Sequence, residues 1–268
     1  MTAPAPVGAL LREWRRRRRL SQLDLANAAG VSARHVSFLE TGRSRPSRAM
    51  VLQLAEQLAV PLRERNRLLL AAGFAPRFPE RGFDHPELAA VRDAVHGVLA
   101  GYEPYPALAV DRGWHLVAAN AAALRLVADV APQLREPPVN VLRLSLHPDG
   151  LAPRIANLGQ WRAHVLDRLA REGVSTGSAE LAALHAELLG YPGGLERSAD
   201  DTPVVVPLRL RTADGELAFL STVTTFGTAV DVTVAELSIE AFLPADPATA
   251  EALLDPSARR SSADAASG

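Results

Sequence analysis

Residues 21–48 read SQLDLANAAGVSARHVSFLETGRSRPSR, and this stretch decides how the chain is organised. With Gln22 as position one, small Ala26 falls at five and Gly30 at nine. Val31, Val36 and Leu39 follow at ten, fifteen and eighteen. Two short helices that cross need this order: a small residue where they touch, a glycine in the turn, and apolar side chains that hold the angle. Ser21 and Ser32 each precede an expected helix start, where a hydroxyl can accept from unpaired first-turn N–H groups. The stretch predicts a helix-turn-helix over 22–40 with an arginine-rich loop behind it.

Upstream, MTAPAPVG (1–8) reads as a disordered leader. A first helix is expected from about Ala9 to Arg18, with Leu10, Leu11 and Trp14 on one face. Downstream, Ser47 caps a fourth helix whose Met50, Leu54, Ala55 and Leu58 recur at helical spacing. Pro61 opens a fifth, which ends at Gly73. Residues 9–74 are thus expected to form an all-α five-helix domain, and the prolines and mixed charges of 75–85 a linker.

From 86 to 255 the texture changes. PELAAVRDAVHGVLAGY reads as one amphipathic helix, Ala119–Val130 as a second, and WRAHVLDRLAREG as a third with Trp161, Val165 and Leu169 on one face. Ala107–Val110 and His115–Ala118 flank a DRG turn and predict a hairpin. TPVVVPLRLRT (202–212), ELAFLSTVTTF (216–226) and TAVDVTVAELSIEAFLP (228–244) read as three consecutive strands, the first two joined by the Asp214–Gly215 turn. Helices on one face of an antiparallel sheet make this half α+β. The small, polar residues of 256–268 read as a disordered tail.

Charge divides at the same boundary. The first 80 residues hold 14 Arg against 6 acids, a net of +8, and the remainder 15 Arg against 24 acids, a net of −9. A basic helical head on an acidic second half implies a polyanion partner for the head alone. The absence of cysteine excludes disulfides, thiolate catalysis and Cys-ligated metal sites. No apolar run approaches the ~20 residues that span a bilayer, so no membrane partner is expected. Histidines at 35, 85, 96, 115, 147, 164 and 185 show no metal-ligand spacing, and no nucleophile elbow or phosphate loop is present. The expectation is a non-enzymatic protein, without cofactor, in a bacterial cytoplasm and associated with the nucleoid.

In a helix-turn-helix the second helix, here Ser32–Thr41, enters the major groove. Val36 and Leu39 face inward, leaving Ala33, Arg34, Ser37, Phe38 and Thr41 outward; Ser32 and His35 on the first turn complete the DNA-facing set. The Arg34 fork matches guanine O6 and N7, Ala33 and Phe38 suit thymine methyls, and Ser37 suits a base or a phosphate. Gln22 is placed for a phosphate, and Arg43, Arg45, Ser47 and Arg48 for the neighbouring backbone. Arg16–Arg19 is either a solvated face or a further phosphate contact. Arg15 is expected to pair with Glu40 across the bundle, because an acid facing phosphate would repel it.

The same residues, in particular S-Q-x-x-L-A, G-V-S and L-E-x-G-x-R-x-P-S, resemble the Xre-type, lambda-repressor-like DNA-binding domain over about residues 7–73. The resemblance implies a five-helix fold and places Gln22, Arg34, Ser37, Arg43 and Ser47 at family DNA-contact positions. It also implies an ion pair between the first helix and the end of the third, as in Arg15–Glu40.

PPVNVLRLSLHPDGLAPRIANLGQWRAHVLDRL and FLSTVTTFGTAVDVTVAELSIEAFLPAD resemble the MmyB-like ligand-binding domain, a family associated with actinobacterial regulators. That resemblance implies a PAS-like fold and small, largely apolar ligands, fatty-acyl molecules among them. The residues themselves say less. Trp114, Trp161, Phe219 and Phe226 either line an apolar pocket or belong to the core. Asn120, Arg143, His147 and Thr225 either orient a polar head or serve as caps and surface pairs. The expected whole is a homodimeric regulator on a palindromic double-stranded operator, with either a ligand sensor or a mere dimerisation or recruitment module behind the reading head.

Overall fold

The first four residues of each helix have N–H groups without an intrahelical acceptor, and in the first eighty residues the sequence supplies one nearby. In the computed structural model, which describes residues 5–196 and 205–254, Ser21, Ser32 and Ser47 each accept from the N–H three residues on. They start α2 (Gln22–Ala28), α3 (Ala33–Glu40) and α4 (Arg48–Gln57). Asp24 answers Ser21 with the reciprocal bond of a capping box. α1 (Val7–Arg17) and α5 (Leu62–Ala71) complete five helices. Val7 and Gly8, expected in the leader, open α1. The rest of that leader and the 256–268 tail fall largely or wholly outside the described residues.

The chain forms two compact units, one of residues 1–82 with 174–177 and 228–235, the other of 83–173, 178–227 and 236–268. The core of the first contains Leu11, Trp14, Leu25, Ala26, Val36, Leu39, Leu54 and Leu69. Ala26 is fully buried where α2 and α3 meet. Gly30 turns the chain between them at φ +63, a conformation any side chain would strain. Gly8 answers a different need. A Cβ there would stand 2.3 Å from the Leu39 carbonyl oxygen, so only glycine lets α1 approach the end of α3 this closely.

The second unit is built on five antiparallel strands: β1 (Ala107–Val110), β2 (Leu116–Ala119), β3 (Leu208–Thr212), β4 (Gly215–Thr225) and β5 (Ser238–Pro244), in the order β2-β1-β5-β4-β3. Around them lie α6 (Ala89–Gly101), α7 (Ala121–Leu126), α8 (Val141–Leu146), α9 (Leu158–Thr176), α10 (Ala179–Leu189) and α12 (Pro247–Leu254), with the short α11 (Val232–Ala235) before β5. The sheet has two different faces, because successive residues of a strand point to opposite sides. Ala107, Ala109, Ile239 and Ala241 pack against Val95 and Leu99 of α6, the alanines leaving room for the helix. Leu108, Glu240 and Phe242 alternate with them and face the other way.

Three expectations need correction. The strand read from 228 to 244 begins only at Ser238. Asp231 Oδ1 accepts from Thr233 N (2.9 Å) and its carbonyl from Ala235 N (3.0 Å), which closes a helical turn where the β-branched residues suggested a strand. The strand read from 202 is likewise shorter, starting at Leu208; residues 202–204 of that reading lie outside the described residues. The helix read over 119–130 spans only 121–126, begun by the Asn120 side chain. The hairpin at 107–119 is present, with a register shift between Ala109 and Val110. Asp111 Oδ1 accepts from Gly113 N and His115 N, and Trp114 is held at φ +65, a costly conformation for a bulky residue.

Candidate functional site

The first site is the exposed side of α3. Val36 and Leu39 are buried, Arg34 is exposed, and Ala33, His35, Ser37 and Phe38 are half-buried. The Phe38 ring lies between two guanidinium groups, Arg34 at 5.2 Å and Arg43 at 5.9 Å. A cation over an aromatic face is attracted by the ring quadrupole, so these arginines share one anchor. Arg45 and Arg48 are exposed on the loop and first turn that follow. Three hydroxyls of the expected set have local work: Ser32 and Ser47 cap helices, and Thr41 Oγ1 donates to the Ser37 carbonyl at 2.8 Å.

Glu40 ends α3 and is buried. Arg15 grips it with Nε to Oε1 at 2.6 Å and Nη2 to Oε2 at 2.9 Å. The Gln22 amide donates to Oε2 at 2.9 Å, and the Arg12 guanidinium lies 3.5 Å from the same oxygen. Burial alone would raise the Glu40 pKa. Hydrogen bonds from Arg15 and Gln22, with the charges of Arg15 and Arg12, outweigh it and hold the carboxyl below the ordinary glutamate value. The Gln22 expectation is corrected here: its NH2 group, the part that would meet a phosphate, is directed at Glu40. The Arg16–Arg19 run divides. Arg18 donates to the Leu58 and Ala59 carbonyls at 2.8 Å each, Arg17 pairs with Glu13, and both flank Trp14, whereas Arg16 and Arg19 are exposed.

The second site is a cavity of about 110 Å³ within the second unit. Its walls are mainly aliphatic: Leu124, Leu126 and Val127 from α7 and its end, Val141, Leu142 and Leu144 from α8, Leu208 and Leu210 from β3, and Leu108 and Phe242 from the sheet face opposite α6. α9 contributes Trp161, His164, Val165 and Arg168, one side of a helix by their spacing. Space of this size admits several waters or one small organic molecule, and an apolar wall favours the latter.

One end of the cavity is polar. The Arg168 guanidinium lies 4.6 Å from the Trp114 ring centroid, its Nε donates to Glu172 Oε1 at 2.9 Å, and its Nη1 stands 2.5 Å from Glu240 Oε1. Trp114 donates its indole N–H to Glu172 Oε2 at 3.0 Å, so the strained Trp114 backbone aims a ring that holds both members of the pair. Burial would lower the Arg168 pKa, but Glu240 and Glu172 outweigh it and the net direction is upward. Burial pushes the Glu240 carboxyl up, against the Arg168 charge. His164, stacked on Trp161 at 5.6 Å, is held below the ordinary histidine value by burial and by the charges of Arg168 and Arg171.

Of the eight ligand-contact residues expected from sequence, Trp114 and Trp161 line this cavity. The other six lie elsewhere, and each is corrected for a physical reason. Asn120 caps α7 and uses all its polar atoms on backbone: Oδ1 accepts from Ala107 N and Ala123 N, and Nδ2 donates to the Leu99 and Tyr105 carbonyls. Arg143 forms a bidentate pair with Glu187, 2.8 Å at both nitrogens. His147 accepts from Asp149 N and meets the Tyr191 ring edge-on; burial and Glu187 push the Tyr191 phenol up to about 12. Phe219 is wholly core, Phe226 packs with the α6 cluster on the far sheet face, and Thr225 is exposed at the end of β4. Arg168, Glu172 and Glu240 were missed. The signals were a lone acid inside the apolar strand SIEAF, and an arginine seven residues after Trp161, two helical turns on.

Comparison with known families agrees with both sites. Residues 6–68 match the helix-turn-helix domain, and residues 91–254 match the MmyB-like transcription regulator ligand binding domain, so the chain belongs to that family of regulators. It is also similar to the uncharacterized HTH-type transcriptional regulator RghRB of Bacillus subtilis (strain 168): 37% identical over 110 residues, covering 41% of this chain and 70% of the relative. The protein is a transcriptional regulator with a DNA-binding helix-turn-helix head and an MmyB-like ligand-binding domain. No helix among the described residues is long and apolar enough to cross a membrane.

Proposed function

We propose that this regulator binds a palindromic operator as a homodimer, and that a small, largely apolar ligand in the second unit changes its affinity for that operator. The observation that carries this is the cavity: an apolar space behind Trp114 and Trp161, in the half of the chain that is acidic rather than basic. A module that only dimerised or recruited a partner would have no use for such a space. The strand order 2-1-5-4-3 supports a PAS-like reading of this unit. Fatty-acyl molecules are among the ligands that fit its aliphatic walls.

Arg34 is the base-reading residue of this proposal, with Ala33, Ser37 and Phe38 beside it. Arg43, Arg45 and Arg48 hold phosphates, while Ser32, His35, Thr41 and Ser47 shape the helix ends that present them. One helix-turn-helix covers only a few base pairs, hence the two-fold partner. The regulator acts in the cytoplasm, on the nucleoid, and performs no catalysis. Ligand must bind the operator-competent and operator-incompetent states unequally, or it shifts nothing. The test is to select an operator from random duplexes with the full chain, then titrate it with and without a saturating apolar ligand. A changed operator Kd supports the reading, and an unchanged one removes the sensing half of it.

A further inference from the structure

The polar end of the cavity is arranged for a particular head group. Glu240 is 6% exposed, lies in the cavity wall, and sits opposite the apolar Leu108 and Val223 in the sheet. Its Oε1 accepts no hydrogen bond among the described residues. Arg168 Nη1 is 2.5 Å away, but no N–H is aligned on the oxygen, so Oε1 has a charge partner and no donor. A buried acceptor without a donor is costly and is normally satisfied by something. Arg168 meanwhile is already held by Glu172 and by the Trp114 ring. With both acids ionised, the cluster Arg168, Glu172 and Glu240 carries one net negative charge.

We propose that the ligand carries a hydrogen-bond donor, a hydroxyl or an ammonium group, which seats on Glu240 Oε1 while its apolar body fills the cavity. This rests on the ligand-binding reading above and narrows it. A carboxylate head would have to displace Glu172 or Glu240 from Arg168 and would bring a further negative charge to a site that has one in excess. A donor completes Glu240 without disturbing the pair. The raised Glu240 pKa agrees with an acid that has lost water and gained no donor.

Isothermal calorimetry on the full chain near neutral pH, with 1-octanol, octylamine and octanoate as probes of equal tail length, tests this directly. Octanol or octylamine should bind at least about tenfold more tightly than octanoate, a margin large enough to exceed variation in tail packing. Stronger binding of the amine identifies a cationic head, and of the alcohol a neutral one. Glu240→Gln should bring the three probes to within about threefold of one another, with circular dichroism confirming that the variant is folded. Octanoate binding as tightly as the donors, or a preference that Glu240→Gln leaves unmoved, overturns the head-group assignment while leaving the ligand site in place. Heat from none of the probes overturns both readings. The wild-type series decides the matter even where the variant fails to fold.

Discussion

Glu40 and Glu240 are almost equally buried, at 5% and 6% exposure, and each lies against an arginine. Their surroundings differ in one respect. Glu40 receives both nitrogens of an arginine fork and an amide, so every strong demand of the carboxylate is met and its pKa falls. Glu240 has charge nearby but an oxygen without a donor, and its pKa rises. The first arrangement closes a rigid joint between α1 and α3, which holds the reading helix at one angle. The second leaves an open valence on a cavity wall. Burial of an acid is therefore no guide to its role; the completeness of its hydrogen bonding is.

The largest expected effect tests the joint. Glu40→Ala leaves Arg15 half-buried without its acid, and should cost about 2–3 kcal/mol in denaturant unfolding, the lower part of the range for breaking a buried pair because Arg15 keeps some exposure. Glu240→Gln should cost less than about 1 kcal/mol, since Arg168 retains Glu172. Equal costs at the two sites would dissolve the contrast.

Packing should follow the same division. Gly8→Ala adds one carbon against the Leu39 carbonyl and should cost about 1–3 kcal/mol, whereas Ala123→Leu adds three carbons into the cavity and should be neutral or stabilising by up to about 1–2 kcal/mol. The same Ala123→Leu protein should lose calorimetric binding of the octyl probes. A Gly8→Ala variant as stable as wild type would show that the head yields more than its contacts suggest.

On DNA, Arg34→Ala should lose about 1–3 kcal/mol of discrimination at one base pair, and Arg45→Ala should weaken specific and random duplexes alike, lowering the salt slope by about one unit. Equal losses on both kinds of duplex for Arg34→Ala contradict its base-reading role.

The smallest effect is in pH. An acid whose folded pKa is depressed stabilises above its unfolded value, and that contribution disappears as pH falls through the folded one. Glu40 should therefore protect the head down to the ordinary glutamate range and lose that protection below it. Glu240 has the opposite sign: its raised folded pKa opposes folding above the ordinary range, and acidification toward that range relieves the penalty. Carboxyl-carbon NMR titration of labelled glutamates should show Glu40 titrating below, and Glu240 above, the exposed glutamates. Coincident midpoints would contradict the distinction.

The head was legible because its signals are local. Ser21, Ser32 and Ser47 cap the next turn of their own chain, Gly30 turns at its own bond, and Arg15 reaches Glu40 within a motif of fixed spacing. Gln22 was misread because its partner is eighteen residues away across the bundle. In the second unit the class of fold was legible from alternation and turns. The wall of the site was not, apart from its two tryptophans. Asn120, Arg143 and His147 carry the chemistry of ligand anchors, yet each has a structural partner that composition does not reveal.

Sequence alone determined a basic helix-turn-helix head, an acidic α+β companion, and the face of α3 that leaves the head. These follow from periodicities and caps that act within one or two turns of chain. Only the tertiary structure decided that an arginine of α9 and a glutamate of β5, 72 residues apart by number, meet under the Trp114 ring at the end of an apolar cavity. Such a meeting depends on strand register and on which sheet face the helix covers, and neither is written in the neighbours of either residue.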